Sequence, residues 1–145
     1  LERGADLVVD YRDLKANLAQ QGIENVDYIL CLNDTDGHWQ AISDLIAPMG
    51  HICTIVENAQ PLDQSALKLK SAALHWELMF TRSMFNTPDI AQQGEILKQV
   101  AQLLDEGKLS TTLSETMHGL TVPTLTAAHQ KLLDGHMQGK LVIVY

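Results

Sequence analysis

Val26-Asp27-Tyr28-Ile29-Leu30-Cys31-Leu32, followed by Asn33-Asp34-Thr35-Asp36 and later by Ile52-Cys53-Thr54-Ile55-Val56, is the stretch whose reading decides the fold. Both apolar runs are nearly continuous, which suits strands covered on two faces. Between them Trp39, Ile42, Leu45 and Ile46 recur at helical spacing, and the four turn-forming residues in front supply N-cap chemistry. Ala47-Pro48-Met49-Gly50 is expected to stop that helix, leaving a very short connection into the second run. Strand, helix and strand in this order form a βαβ unit, and such units build mainly parallel sheets.

The rhythm extends in both directions. Upstream, Leu7 to Tyr11 reads as a strand and Leu14 to Gln21 as a helix whose Leu14 and Leu18 share a face, closed by Gly22. Gly4-Ala5-Asp6 leads straight into that strand with no glycine-rich phosphate loop before it, so the chain reads as an α/β domain entered partway. Downstream, Ala72, Leu74, Trp76, Leu78 and Phe80 alternate with Ala73, His75, Glu77 and Met79, which predicts an extended segment with one buried face. Ile96, Leu97, Val100, Leu103 and Leu104 place a helix between Pro88 and Glu106, with Gly107 just past its end. Leu113 and Met117 fit a short strand, and Val122 to Leu133 fits a helix with Pro123 in its first turn. The β-branched run Leu141-Val142-Ile143-Val144-Tyr145 is expected to close the sheet.

Composition narrows the function. A chain of 145 residues that is 46% hydrophobic supports one ordinary core, hence one domain or part of one. With 10 Lys and Arg against 18 Asp and Glu, the net charge of −8 repels phosphate backbones and anionic lipid, so neither nucleic acid nor a membrane is an expected partner. Cys31 and Cys53 sit in apolar runs and read as small buried hydrophobes, which favours a reducing cytoplasm. No apolar stretch approaches the ~20 residues that span a bilayer, and the amino terminus does not resemble a signal peptide. His38, His51, His75, His118, His129 and His136 are scattered singly, without C-x-x-C or H-E-x-x-H, and read as surface or structural residues. There is no G-x-S-x-G, and no neighbouring cation in sequence activates Cys31.

Ligands of open α/β sheets bind outside the carboxyl ends of parallel strands. Three such ends are candidates: Tyr11 and Arg12, which bring a ring, a hydroxyl and a guanidinium; Asn33 and Asp34; and Val56 and Glu57. Phe80 and Thr81 open a fourth segment, running to Thr87, with hydroxyls, a cation and aromatic rings at the exit of an extended run.

In their order and spacing these residues resemble the cofactor-domain tail of the zinc-type alcohol dehydrogenase-like proteins, in the quinone oxidoreductase branch of the medium-chain dehydrogenases and reductases. Gly4 to Arg12 looks like that family's third cofactor-domain strand and Val26 to Leu30 like its fourth. Leu45-Ile46-Ala47-Pro48-Met49-Gly50 is similar to its Leu-Lys-Pro-Gly-Gly turn, and Ala128-His129 with Gly139 to Ile143 resembles its last helix and strand. The resemblance implies the carboxy-terminal part of a Rossmann domain, doubly wound and mainly parallel, lacking its first two strands and glycine-rich loop, with the GroES-like catalytic domain outside this chain. It further implies an NADPH-dependent oxidoreductase that transfers hydride to a small carbonyl, enone or quinone, the isolated portion being inactive.

Carried over residue by residue, Tyr11 matches the position that approaches the 2′-phosphate of NADPH, with Arg12 beside it. Asn33 and Asp34 match the loop near the ribose and nicotinamide, Val56 and Glu57 the end of the fifth strand, and Phe80 and Thr81 the following lining segment. The usual Asp-x-Val-Gly is not present in that loop. No catalytic residue and no metal ligand is expected in this chain. Missing strands would leave a naked edge, so self-association is expected, by an exchanged strand or as a homodimer paired through last strands. The competing reading is a self-standing α/β binding or interaction module that transfers no hydride.

Overall fold

Hydrogen bonding sorts residues 4–145, which a computed structural model describes, into two parallel sheets. Each lies in its own compact unit, one ending at Ile90 and one running from Ala91 to Tyr145, where length alone leads to the expectation of one.

The first unit contains a 3-10 turn at Tyr11–Asp13, α1 (Leu14–Gln20), β1 (Val26–Cys31), α2 (Thr35–Leu45), β2 (Ile46–Thr54), a 3-10 helix at Gln64–Lys70, β3 (Ala73–Trp76) and α3 (Thr81–Met84). The strand order is β1-β2-β3 and both pairs are parallel, as the βαβ reading requires. The core is the face of this sheet under α2: Cys31, Trp39, Ile42, Ile46, Ile52 and Leu67 are buried together, with Ile29, Leu62, Ala72 and Leu74 packed against them. Removing this apolar surface from water is the main stabilising term of the unit. Lys70 closes the arrangement by donating from Nζ to the carbonyls of Ser43 (2.9 Å), Asp44 (2.7 Å) and Ile46 (2.8 Å). All three ammonium donors are thereby used on carbonyls that the end of α2 leaves without helical partners.

The second unit holds α4 (Gln92–Asp105), β4 (Leu113–His118), α5 (Val122–Leu133) and β5 (Lys140–Val144), with β4 parallel to β5. The Thr121 side chain accepts from the Thr124 N–H to cap α5, and the expected Pro123 lies in its first turn.

Several elements differ from the expectation. Leu7 to Tyr11 is not a strand: among the described residues no strand pairs with it, Val8 is 69% exposed, and Tyr11 already belongs to a 3-10 turn. A strand exists only through its neighbour's hydrogen bonds, and β1 is an edge here. Residues 46–50, expected as a turn, fall within β2, but as a register break: Val26 pairs with Ile46 and Tyr28 with His51. Met49 sits at φ 64°, and a Cβ on Gly50 would lie 2.7 Å from Ile46 Cδ1, so the punctuation acts inside the strand.

The alternating segment narrows to Ala73–Trp76, which pairs with His51–Thr54 at the end of β2. Ala72 and Leu74 do face the core, whereas Trp76, Leu78 and Phe80 are at least half exposed, which corrects the single buried face. Turn structure occupies 88–91, so α4 starts at Gln92. Finally, β5 does not close the first sheet; it pairs with β4 in a separate one.

Candidate functional site

Cys31, Thr54 and Trp76 lie in register across β1, β2 and β3, so all three parallel strands end along one line. The ladder continues one step, with the Ile55 N–H donating to Cys31 O (3.3 Å) and the Glu77 N–H to Thr54 O (3.0 Å). Asn33 and Asp34, Val56 and Glu57, and Phe80 and Thr81 therefore all emerge from one edge of one sheet, the edge at which α/β folds bind ligands.

Hydrogen bonds fix the spacing of the first two exits. Thr35 and Thr54, both 1% exposed, place their hydroxyl oxygens 2.6 Å apart, and Thr35 Oγ1 donates to Val56 O at 2.6 Å. Because Thr35 has one proton and gives it to that carbonyl, Thr54 is the donor between the two hydroxyls. Asp34 caps α2 by accepting from the Gly37 N–H (2.8 Å), and a Cβ on Gly37 would stand 2.2 Å from Asp34 Oδ2. Asp36 accepts the N–H groups of Ala59 (2.7 Å) and Gln60 (3.1 Å), which ties the chain leaving β2 to the first turn of α2.

Beside the β1 exit is an open groove of about 200 Å³. Ile29, Leu30, Cys31, Leu32 and Asn33 line it from β1 and its exit, Tyr11 and Leu14 from the preceding turn and helix, and His38 and Ile42 from α2. Tyr11 is 68% exposed and meets the His38 ring edge-on, centroids 5.9 Å apart. The groove is thus mostly apolar, with a phenol, an imidazole and the Asn33 amide as its polar groups, a composition typical of small-molecule sites.

The sequence candidates divide accordingly. Tyr11 and Asn33 line the groove; Val56 and Glu57 stand at the adjacent exit. Asp34 is used as the cap of α2. Arg12 is bound to Asp10, whose carboxyl it holds below the usual range by hydrogen bonds from its side chain and its backbone N–H. Thr81 lines a separate recess with Trp76, Arg82 and Asp89, and Phe80 is 56% exposed. There Thr87 (2.6 Å) and Arg82 (3.0 Å) donate to Asp89 and hold its carboxyl low. The sequence reading missed the Thr35–Thr54 pair and His38. Thr35 looked like one more capping residue, and no local pattern joins it to a residue on another strand. Among the described residues no three His, Cys, Asp or Glu side chains converge as metal ligands, and no helix is long and apolar enough to cross a membrane.

A parallel sheet with helices packed on it and an open carboxyl edge places the chain in the α/β class, whose ligands bind at that edge. The zinc-binding dehydrogenase family model matches residues 3–143, and the chain belongs to that family. It is 39% identical over 141 residues to a zinc-type alcohol dehydrogenase-like protein of Staphylococcus aureus, a match that takes in 97% of this chain. The chain spans 42% of that relative's length. A crystal structure of a Rhizobium etli protein assigned as a zinc-dependent alcohol dehydrogenase superposes with a TM-score of 0.86 at 38% identity, over 98% of this chain and 42% of that one. Vibrio vulnificus CurA, crystallised with NADPH, shares the fold with a TM-score of 0.65 at 21% identity, over 97% of this chain and 43% of its own. The fold is accordingly that of the Rossmann-type dehydrogenases.

Proposed function

We propose that this chain is the distal part of the cofactor domain of an NADPH-dependent oxidoreductase that transfers hydride to a small carbonyl, enone or quinone. One observation carries the reading: an apolar groove with an exposed tyrosine lies where β1 ends, in line with the exit of β2. The residues present fit the adenosine end of a dinucleotide, since Tyr11 and Leu32 offer exposed apolar surface and Asn33 an uncommitted amide. Membership of the dehydrogenase family and the NADPH found in the CurA structure support the choice of ligand.

In this reading Tyr11 holds the adenosine end and Asn33 the ribose next to it, while Val56 and Glu57 border the nicotinamide half. Thr35 keeps the two strand exits at fixed separation. The bound cofactor supplies the hydride; the protein supplies orientation and exclusion of water. Thr81 lies in a recess separate from this groove and Phe80 is not among the residues lining it, so neither takes part in this reading, and Arg12 contributes only after release from Asp10.

The pyrophosphate cradle, the first two strands and the GroES-like catalytic domain belong to other parts of the parent protein, which acts in the cytoplasm. Without a glycine-rich turn at a helix amino end, the main anion site is missing. Calorimetric titration of NADPH into the 145-residue chain is therefore expected to show affinity weaker than micromolar, and no turnover. Micromolar binding would overturn this division of labour. The open edge of the sheet is covered by a second copy, through an exchanged strand or paired last strands. Solution scattering should report a dimer or larger; a monodisperse monomer contradicts it.

A further inference from the structure

The register break between Val26 and Tyr28 decides which way the middle of β2 faces, because a slip of one residue turns every side chain to the other side. Ile52 and Thr54 are buried on the α2 side, so His51 and Cys53 fall on the opposite face, where His51 is exposed. On β3 the same alternation sends Leu74 to the core and leaves His75 exposed on the open face. There His51 Nδ1 and His75 Nε2 stand 3.2 Å apart, with ring centroids 5.5 Å apart and planes 21° from parallel. The two nitrogens therefore point at one another, one donating its N–H and the other accepting. Tyr28 flanks the pair from β1, its ring centroid 5.7 Å from that of His51 and the planes 12° from parallel. Among the described residues no other two imidazoles are joined in this way.

We infer that His51 and His75 form a bidentate site for a divalent transition-metal ion, which clips β3 to β2. Zinc holds an imidazole nitrogen at about 2.0–2.1 Å, so two such ligands at a tetrahedral angle have their nitrogens about 3.3 Å apart. The observed separation already matches that bite. Coordination needs each ring to turn until both lone pairs meet at the ion instead of at each other, and the exposure of both side chains leaves room for it. The proton now held between the rings moves to an outer nitrogen. The bound form then carries its N–H groups on His51 Nε2 and His75 Nδ1, with no net proton released from a neutral pair. Solvent fills the remaining positions, because among the described residues no third His, Cys, Asp or Glu converges there. Imidazole suits zinc, nickel and copper, and the net charge of −8 attracts cations at long range. Neither histidine lines the groove at the β1 exit, so the site stands or falls independently of the cofactor reading.

The test titrates zinc chloride calorimetrically into the 145-residue chain at neutral pH, with the thiols kept reduced by a non-chelating phosphine. Nickel(II) then maps the site by paramagnetic broadening of the amide spectrum. Zinc is expected to bind the unmodified chain about tenfold more tightly than His51→Gln or His75→Gln, each of which keeps a single ligand. Nickel should broaden the amides of Tyr28, His51, Cys53 and His75 first. Saturating zinc should raise the thermal midpoint of the unmodified chain and leave that of either variant in place, because a clip between strands stabilises only the folded state. His129→Gln, which removes an exposed histidine of α5, should change none of this. Equal zinc affinity in the chain and both variants, which means binding at single histidines only, overturns the inference. So does broadening centred on other histidines, or a thermal midpoint that zinc does not raise. Should either variant not fold, the nickel map of the unmodified chain decides alone.

Discussion

The passages β1-α2-β2 and β4-α5-β5 share one design, a helix joining two parallel strands, yet they pack very differently. In the first, Trp39, Ile42 and Leu45 of the helix are all at most 9% exposed; in the second, Ala128 is the buried apolar residue of α5, while Leu132 is 60% and Leu133 81% exposed. Local pattern makes both helices. Burial needs more, and the first passage has it: a third strand and the 3-10 helix at Gln64–Lys70, which brings Leu67 onto the same core. In the second passage β4 and β5 pair only with each other, and two strands alone give little surface for burial.

The contrast can be broken most forcefully in the core. Ile52→Ala should cost about 2–5 kcal/mol, whereas Leu125→Ala on α5, 37% exposed, should cost about 1 kcal/mol or less. Urea unfolding of both variants measures this, and equal losses would abolish the distinction between the two passages.

Next come the lysines. Lys70→Met strips three carbonyls at the end of α2 of their donor and should cost about 1–3 kcal/mol. Lys131→Met removes only an exposed pair with Glu115, worth about 0–1 kcal/mol. Thermal melts of the two variants side by side sharpen the comparison.

Smaller still is the threonine pair. Thr35→Val leaves Thr54 without its hydroxyl partner and should cost about 1–2 kcal/mol. It should also shift the amide signals of Val56 to Asn58, since the Val56 carbonyl loses the shorter of its two hydroxyl contacts and keeps only the 3.5 Å one to Thr54. Thr121→Ala at the cap of α5 should cost about 1 kcal/mol and leave those signals unmoved.

The weakest effect is acid sensitivity. Hydrogen bonding to Lys15 lowers Asp44 below its ordinary 3.8, and Lys108 lowers Glu106 below 4.5. A carboxyl depressed in the folded state stabilises above its unfolded pKa, and that contribution disappears as pH falls through the folded value. Neither group should therefore change stability between pH 7 and pH 5. Below about pH 4 Asp44→Asn should flatten the acid limb, because Lys15 and Asp44 join different helices. Glu106→Gln should not, since Lys108 is two residues away and stays near it in the unfolded chain.

How much of this was legible in the sequence follows from range. β1 and α2 are legible nearly to their ends, because continuous apolar runs and N-cap residues are local signals, whereas β2 begins at Ile46, inside the residues that read as a turn. Leu7 to Tyr11 has the composition of a strand without being one, since its apolar run says nothing about a partner. Leu141 to Tyr145 was rightly a strand, but which sheet receives it depends on β4 and is not written in its own residues. At the candidate site the strand exits were visible as turn chemistry, whereas the hydroxyl contact between Thr35 and Thr54 and the meeting of Tyr11 with His38 arise only when distant segments converge.

The account stands on the carboxyl edge of β1 and β2 being a nucleotide surface, and mapping millimolar NADPH onto the amide spectrum of the chain tests that directly. The expected result is movement of Tyr11, Leu32, Asn33, Val56 and Glu57, with the signals of 113–144 unchanged. Perturbation confined to the Thr81–Asp89 recess or to the surface around Glu115 and Lys131, or a spectrum that does not respond, would contradict it.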